Sequence, residues 1–280
     1  MIQLIVDSGS TKADWRAVEA DKITGFPTQG LNPYFINTDE FETIIRLQVL
    51  PHTAGQMVGS IYFYGAGCGT DSRKQQVGNV LNRFFPGAAI SIATDLLGAA
   101  RSLLKHEPGF AVILGTGTNS GRYDGRQIVQ SIDSLGYLLG DEGSGAAIGR
   151  KLLRDFLRGY LPEQMHNEFA QLCPFDREQV LQQLYTKPSP NRFLASFVPF
   201  AVNHLSDPYL RQLVKESFND FFKHLISHYA GYQNQPMCCT GSVASIFKEC
   251  LLETAKEYNV HIQAVSRSPI EELVAYHQTV

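Results

Sequence analysis

A short polar turn near the start of the 280-residue chain has the composition of a phosphate-binding loop. Asp7 ends an apolar segment, and the turn continues with Ser8, Gly9, Ser10, Thr11 and Lys12. Glycine tolerates the backbone angles that aim several N–H groups at one phosphate. The hydroxyls and the cation suit phosphate oxygens, and the Asp7 carboxylate is placed to hold Mg²⁺ through water. GxxxxGK[ST] is absent, so this is not a Walker A loop, and an ordinary hairpin turn would have the same make-up.

A second turn of the same character follows the apolar segment 110–114, with the residues Gly115, Thr116, Gly117, Thr118, Asn119 and Ser120. Between the two turns, another apolar segment ends at Thr94-Asp95. Two such turns at equivalent points of two similar segments favour phosphate binding over coincidental loops. Near the end of the chain, a predicted strand runs into Gly241, Ser242, Val243 and Ala244. Small residues there suit an adenosine cradle, although an ordinary strand-to-helix turn also fits.

The elements that must position these turns form two similar halves. Periodicity in the first half predicts strands over 3–6, 13–19, 22–26, 60–64 and 89–93, with helices over 39–50, 72–85 and 96–105. Thr38 or Asp39 is the expected cap of the first helix. The pattern restarts at Pro108-Gly109 with strands over 110–114, up to Tyr123, and over 127–131. The rest is mainly helical, including an amphipathic run over 209–232, a strand over 237–240, a helix starting near Val243 and a closing helix after Ser268-Pro269.

Composition excludes several classes of protein. The formal net charge of −3 provides no field that would draw the chain to nucleic acid or an anionic membrane. No stretch approaches the roughly 18 apolar residues of a membrane span, and the first residues form a predicted strand, so we expect a cytoplasmic protein. The five cysteines are odd in number and lack CxxC spacing, which indicates neither a disulfide framework nor a zinc site. Neighbouring Cys238 and Cys239 should point to opposite faces of a strand, giving a mixture of core and surface thiols.

The paired turns resemble those of the actin/hexokinase/Hsp70 ATPase superfamily, in which one turn from each lobe holds the nucleotide phosphates. Residues 136–144, Gly-Tyr-Leu-Leu-Gly-Asp-Glu-Gly-Ser, resemble the GxxxGDEGS signature of BadF/BadG/BcrA/BcrD-type ATPases and N-acetylglucosamine kinases. The resemblance implies an α/β, two-lobed actin-like ATPase (ribonuclease H-like) fold with an interlobe cleft. The expected lobes are residues 1–106, joined by the helix 268–280, and residues 107–267. The resemblance also implies ATP and Mg²⁺ as cofactors. Because sugar kinases of this group are commonly dimeric, it implies a homodimer as well.

The same resemblance assigns roles to individual residues. Asp95 is the expected catalytic base toward a sugar hydroxyl, unless it serves only as an N-cap. Phosphate or adenosine contacts are expected from Ser8, Gly9, Ser10, Thr11, Lys12, Gly115, Thr116, Gly117, Gly241, Ser242 and Ala244. Sugar contacts are expected from Asn32, Asp95, Thr118, Asn119, Gly136 and Asp141. For Asn32 an Asn-Pro turn, and for Asp141 a loop-capping carboxylate, are the alternatives.

Substrate identity and two rival functions stay open at this point. The expected reaction converts N-acetylglucosamine to N-acetylglucosamine 6-phosphate, but Ser134-Leu135-Gly136 replaces a Gly-Trp-Gly segment of the similar kinases. One rival is an ATPase that activates an iron–sulfur reductase or dehydratase, for which Cys68, Cys173 and Cys250 offer no convincing pair. The other is a non-catalytic nucleotide sensor, which has no need of a base at Asp95.

Overall fold

The structure, a computed structural model, describes residues 1–20, 22–53 and 55–278. The strands are β1 Ile2–Ser8, β2 Lys12–Glu19, β3 Lys22–Gln29, β4 Val58–Gly65, β5 Ala89–Thr94, β6 Gly109–Leu114, β7 Thr118–Tyr123, β8 Ile128–Ser131, β9 Met237–Thr240 and β10 Ile262–Ser266. The helices are α1 Thr38–Ile44, α2 Leu50–Thr53, α3 Asp71–Phe84, α4 Asp95–Leu103, α5 Gly136–Leu139, α6 Gly145–Leu157, α7 Glu163–Leu172, α8 Arg177–Tyr185, α9 Pro190–Ala195, α10 Val198–Asn203, α11 Pro208–His224, α12 Ser242–Ile246, α13 Lys248–Glu257 and α14 Ile270–Gln278.

The chain divides into two compact units. Unit 1 contains residues 1–107, 124–128 and the described chain from Ser268 onward, and unit 2 contains residues 108–123 and 129–267. Among the described residues, no helix has the length and apolarity that a membrane crossing requires.

Unit 1 is built on a five-stranded sheet in the order β3-β2-β1-β4-β5. β1 is antiparallel to β2 and parallel to β4, which is itself parallel to β5. The central strand β1 is apolar without alternation over 4–6, because apolar side chains cover both faces of the sheet. One face packs against the cluster that includes Phe41, Val77 and Leu81, and the other packs against Leu273 and Val274 of α14.

Unit 2 contains a second five-stranded sheet, in the order β10-β9-β6-β7-β8. β6 is antiparallel to β7 and parallel to β9, and β9 is parallel to β10. Most of its helices lie between β8 and β9 in the chain, and they contribute a large aromatic core that includes Phe169, Phe218, Phe221 and Phe222. Such rings bury large apolar areas and stabilise the unit.

Several local predictions need correction. The cap of α1 is Asn37, which forms a capping box with Glu40, in place of Thr38 or Asp39. The helix expected over 39–50 is interrupted by a π-helical segment, Ile45–Val49. The amphipathic helix expected over 209–232 ends at His224. Fully buried Tyr229 lies outside it, where its hydroxyl bonds to the Ser120 hydroxyl and accepts from the Ile132 N–H.

The cysteines are another correction. All five are free thiols, and all five are buried, including both Cys238 and Cys239. The expectation of a surface thiol at this pair is wrong, because β9 lies between β6 and β10 inside unit 2 and is covered on both faces.

Candidate functional site

In unit 1, three parallel strands bring their carboxyl ends to one edge of the sheet. Ser8, Gly65 and Thr94 are the last residues of β1, β4 and β5, and the ladders pair Ser8 with Gly65 and Gly65 with Thr94. Parallel strands end at the same edge, where loops and helix starts collect functional groups. The first polar turn and Asp95 therefore occupy neighbouring positions.

Asp95 is the first residue of α4 and is half-buried. Its Oδ1 accepts a hydrogen bond of 2.8 Å from the N–H of Leu96. The N-cap of α4, however, is Thr94, whose hydroxyl accepts from the N–H of Leu97 at 3.2 Å. Capping is therefore supplied by the preceding threonine, and capping alone does not account for a carboxylate at position 95.

The Asp95 carboxylate is close enough to act electrostatically on two neighbours. Burial, followed by the negative charges of Asp95 and Asp14, raises the pKa of Asp7 to about 7. Burial, with a smaller contribution from Asp95, raises the pKa of the Cys68 thiol to about 12. Repulsion between carboxylates favours the protonated form of one of them or the arrival of a cation.

Asp14 is a member of this acidic group that the sequence analysis did not identify. It lies opposite Asp7 in the β1–β2 ladder, and its carboxylate is 2.7 Å from the Lys12 ammonium. A signal for it was available, because residues 12 and 14 point to the same face of a strand. Lys12, expected to contact phosphate, is thus paired with Asp14 in this structure.

The acidic group offers carboxylate oxygens, which are ligands that Mg²⁺ binds. Within the described residues, no group of three or more His, Cys, Asp or Glu side chains has the geometry of a metal site. Mg²⁺ is usually held by one or two carboxylates together with water and substrate phosphates, so a full protein cage is not required. Asp7 fits this role, because a nearby cation would offset the burial and the carboxylate repulsion that together raise its pKa.

The first turn closes as a tight hairpin supported by the loop after β3. Within the hairpin, the N–H of Gly9 donates to the Lys12 carbonyl at 3.0 Å. The buried Ser8 hydroxyl accepts from the N–H of Leu31 at 2.9 Å. A Cβ placed on Gly30 would lie 2.4 Å from the Gly9 carbonyl oxygen, so only glycine permits this approach. Ser8 therefore fixes the turn from inside the protein.

Asn32 is buried at this same support loop. Its Nδ2 donates to the Ser10 hydroxyl at 2.8 Å, and its Oδ1 accepts from the N–H of Tyr34 at 3.0 Å. A Cβ on Gly67 would lie 2.3 Å from Asn32 Oδ1, so the loop after β4 packs directly on the amide. The structure thus brings Asn32 together with the first turn, and it also forms the Asn-Pro turn considered as the alternative.

In unit 2, the second turn is held by the segment 141–146. The N–H of Gly115 donates to the Gly117 carbonyl at 3.0 Å, which closes the turn. The Gly115 carbonyl accepts from Gly145 at 2.8 Å, and the Thr116 carbonyl accepts from Ala146 at 3.0 Å. The first turn of α6 is therefore attached directly to the turn.

Asp141 lies at the centre of this attachment. It is buried, adopts a left-handed backbone with φ of 54°, and accepts from the Thr118 N–H at 2.9 Å through Oδ1. Burial raises its pKa, although hydrogen bonds from Thr118 and Ser134 act in the opposite direction. A Cβ on Gly117 would lie 3.1 Å from both carboxylate oxygens. Asp141 thus has the loop-capping role considered for it, next to two residues of the second turn.

Gly241 joins the same region of unit 2, because β6 and β9 are parallel and end side by side. Its φ is +119°, and a Cβ there would lie 2.3 Å from the Leu114 carbonyl oxygen and 3.2 Å from the Gly115 nitrogen. Ser242 begins α12, whereas Ala244 is fully buried. The two glycine turns of unit 2 are therefore in van der Waals contact.

The remaining expected sugar contacts lie near the same turn or just before Asp141. Thr118 and Asn119 begin β7, with Thr118 buried and Asn119 half-buried. Gly136 opens α5 with φ of +69°, and the space beside its Cα is open. Exposed Leu138 and Leu139 follow it on the same short helix.

Comparisons with known proteins show which solved structures this chain resembles. No family model matches the chain. A solved structure from Porphyromonas gingivalis, to which an N-acetylglucosamine kinase function has been attributed, is 39% identical, with a TM-score of 0.93 over 99% of this chain and 98% of that one. A Chromobacterium violaceum structure with the same attribution is 18% identical, with a TM-score of 0.75 over 98% of each chain.

A curated relative, the glucosamine kinase GspK of Vibrio cholerae, is 25% identical over 185 residues. The match covers 64% of this chain and only 62% of the length of the relative.

The fold is the α/β, two-lobed actin-like fold of sugar kinases. The chain belongs to the N-acetylglucosamine kinase-like family of BadF-type sugar kinases. The family and fold class predicted from the sequence are confirmed, and so is the class of enzyme.

Proposed function

We propose that the chain transfers the γ-phosphoryl group of ATP to the primary 6-hydroxyl of an amino sugar. N-acetylglucosamine is the first candidate, with N-acetylglucosamine 6-phosphate and ADP as products. The observation that carries the proposal is the position of Asp95 at the carboxyl edge of the unit 1 sheet, beside the first polar turn. The names of the similar proteins, N-acetylglucosamine kinase and glucosamine kinase, support an amino sugar.

Asp95 acts in this proposal as the general base. As the sugar oxygen bonds to the γ-phosphorus, the bond to the ADP oxygen breaks and the hydroxyl proton passes to the carboxylate. Phosphoryl transfer requires positioning and charge stabilisation more than covalent chemistry, and a positioned base accelerates it further. The Leu96 N–H donates to Oδ1 of Asp95, which fixes the orientation of the carboxylate.

The two turns supply the phosphate contacts. Residues 8–12 and 115–117 offer backbone N–H groups and hydroxyls, and Gly241, Ser242 and Ala244 are proposed for adenosine. Asp7 would hold Mg²⁺, which neutralises phosphate charge when bound. Asn32, Thr118, Asn119, Gly136 and Asp141 are proposed for the sugar.

The iron–sulfur activator function, the cytoplasmic location and the homodimer have less support than the kinase activity. All five thiols are buried, so none of them is presented at the surface to share an iron–sulfur cluster with a second subunit. Buried free thiols agree with a reducing compartment such as the cytoplasm. A homodimer remains a proposal from the resemblance, and sedimentation of the purified protein tests it.

A screen for ADP release with Mg-ATP tests the function. The panel consists of N-acetylglucosamine, glucosamine, N-acetylmannosamine, N-acetylmuramic acid and glucose, with a no-sugar control. We expect the largest stimulation with N-acetylglucosamine and a phosphorus NMR signal for a 6-phosphate product. A preference for glucosamine would identify the free amino sugar, and not its N-acetylated form, as the substrate. Turnover that no sugar stimulates would contradict kinase activity and favour the activator or sensor.

A further inference from the structure

We infer that Arg73 is a positioning residue for the sugar site: it clamps the loop that carries Asn32. The inference rests on the proposed function for its effect on catalysis, but the clamp itself is a separate structural property. Arg73 lies in the first turn of α3, immediately after the loop that packs on Asn32.

The Arg73 guanidinium contacts the Asn32 loop in two ways. Its Nη1 donates to the Pro33 carbonyl at 3.0 Å, and its Cζ lies 4.6 Å from the centre of the Tyr34 ring. A planar cation can hydrogen-bond in its plane and stack through its face at the same time, which an ammonium cannot reproduce. The same Nη1 donates to Gln76 Oε1 at 3.0 Å, one turn further along α3, which fixes the orientation of the side chain.

The clamped segment is the one that holds the Asn32 amide in place. Backbone N–H groups of Phe35 and Ile36 donate to the Asn32 carbonyl at 2.9 and 3.2 Å, and the Tyr34 N–H donates to its Oδ1. With Oδ1 occupied and Nδ2 bonded to Ser10, the amide orientation is determined and one N–H remains to donate to a sugar oxygen. The contact holding residues 33–34 therefore decides where that donor points.

The loop that leads into α3, the helix that carries Arg73, also packs on the Asn32 amide. A Cβ on Gly67 would lie 2.3 Å from Asn32 Oδ1 and 2.9 Å from the Tyr34 ring, so the loop before α3 packs on both the amide and the ring. Tyr34 is largely exposed, at 60%, so packing alone does not immobilise it. Removal of the guanidinium would free the loop on its solvent side while leaving the buried Ser10 bond in place.

The test compares wild type with Arg73→Ala, Arg73→Lys and the control Arg83→Ala. Arg83 lies in the last turn of the same helix and pairs with Glu42, away from the Asn32 loop. For Arg73→Ala we expect the KM for N-acetylglucosamine to rise by about 10-fold, with the KM for ATP changed by less than about 2-fold. Arg73→Lys should be intermediate, because it keeps a donor but loses the stacked plane, and Arg83→Ala should match wild type.

Hydrogen exchange of peptides covering residues 31–37 gives a readout independent of turnover. Faster exchange in Arg73→Ala but not in Arg83→Ala supports the clamp. An unchanged sugar KM in a folded Arg73→Ala protein, or unchanged exchange, overturns the inference. If wild type phosphorylates no sugar, the proposed function fails, and the exchange comparison still decides whether the clamp exists.

Discussion

The two units share one sheet topology but carry different chemistry at the same strand ends. In each, an antiparallel three-stranded meander is followed by two parallel strands, giving β3-β2-β1-β4-β5 and its counterpart β8-β7-β6-β9-β10. The pairing of β1 with β2 in unit 1 and of β6 with β7 in unit 2 then defines equivalent positions in the two units. Asp7 and Asp14, one pair before the turn of unit 1, correspond to Ile113 and Asn119 in unit 2.

The residues that follow the outer parallel strands, β5 and β10, differ in charge in the same direction. β5 is followed by Asp95, whereas β10 is followed by the exposed residue Arg267. At these positions unit 1 is acidic and unit 2 is neutral or basic. A common scaffold therefore carries a polar glycine turn in both units and places a carboxylate at the end of only one of the two outer parallel strands. Function depends on these few residues and not on the topology itself.

The strongest test of this asymmetry is Asp95→Asn, which keeps the size of the side chain and removes its charge. General-base catalysis contributes about 10²- to 10⁴-fold, so turnover should fall by at least about 100-fold while ATP affinity stays within a few-fold. Steady-state kinetics and nucleotide titration measure the two effects.

Asp71→Asn is the matched control. Asp71 is the first residue of α3 after the N-cap Thr70, as Asp95 is the first residue of α4 after Thr94, but it is exposed. If both variants kept near-native turnover, Asp95 would be only a helix-start carboxylate and the acidic edge would have no catalytic meaning.

In unit 2, Gly241→Ala should have the next largest effect. The added Cβ would meet the Leu114 carbonyl oxygen at 2.3 Å on a backbone with φ of +119°. We expect a loss of at least about 2 kcal/mol in the free energy of unfolding, together with weaker ATP binding. Chemical denaturation and nucleotide titration measure these effects. Gly115→Ala, whose Cβ would have no atom within 4 Å, should change stability much less. Equal losses in both variants would contradict the close contact of the two turns.

Asp141 separates support of the second turn from sugar binding. Asp141→Ala leaves the buried Thr118 N–H without its acceptor and should cost about 1–3 kcal/mol in thermal or denaturant unfolding. Asp141→Asn keeps an acceptor and suits the left-handed backbone, so stability should be close to wild type. If the carboxylate binds sugar, the asparagine variant should nevertheless raise the sugar KM. An unchanged KM would confine Asp141 to a structural role.

The smallest effect concerns His277 of α14 in unit 1. Burial, with a smaller contribution from Arg101, lowers the pKa of His277 from 6.5 to about 4. Between these values the unfolded chain binds the proton and the folded protein does not, so stability falls as pH falls from about 6.5 toward 4. The loss at pH 5 should be about 1–2 kcal/mol relative to pH 7.

Thermal unfolding at the two pH values, with His277→Gln and the exposed His261→Gln as control, measures this contribution. The His277 variant should lose less stability on acidification than wild type, and the His261 variant should lose as much. Equal acid sensitivity of His277→Gln and wild type would exclude this histidine as a source of the pH dependence.

Sequence reasoning identified most of the strands and the edge residues that follow them, because apolar segments ending in Gly, Ser, Thr or Asp are local signals. It missed β10, whose residues Ile262–Ser266 are only partly buried and carry a weak apolar pattern. It also missed Asp14 and Arg73, because their importance arises from partners across a ladder or on another element. Tyr229 shows the same limit, since local periodicity extends the helix through it, whereas its hydroxyl bonds to a residue 109 positions away.

The return of α14 to unit 1 has a consequence for biosynthesis. Ile5, Val18 and Tyr64 are covered by Ile270, Leu273 and Val274, which follow all of unit 2 in the chain. A nascent polypeptide emerging amino-terminus first therefore displays one apolar side of its first sheet throughout translation of the intervening residues. Native packing of that side becomes possible only after α14 has emerged from the ribosome, and until then its apolar residues lack their native cover.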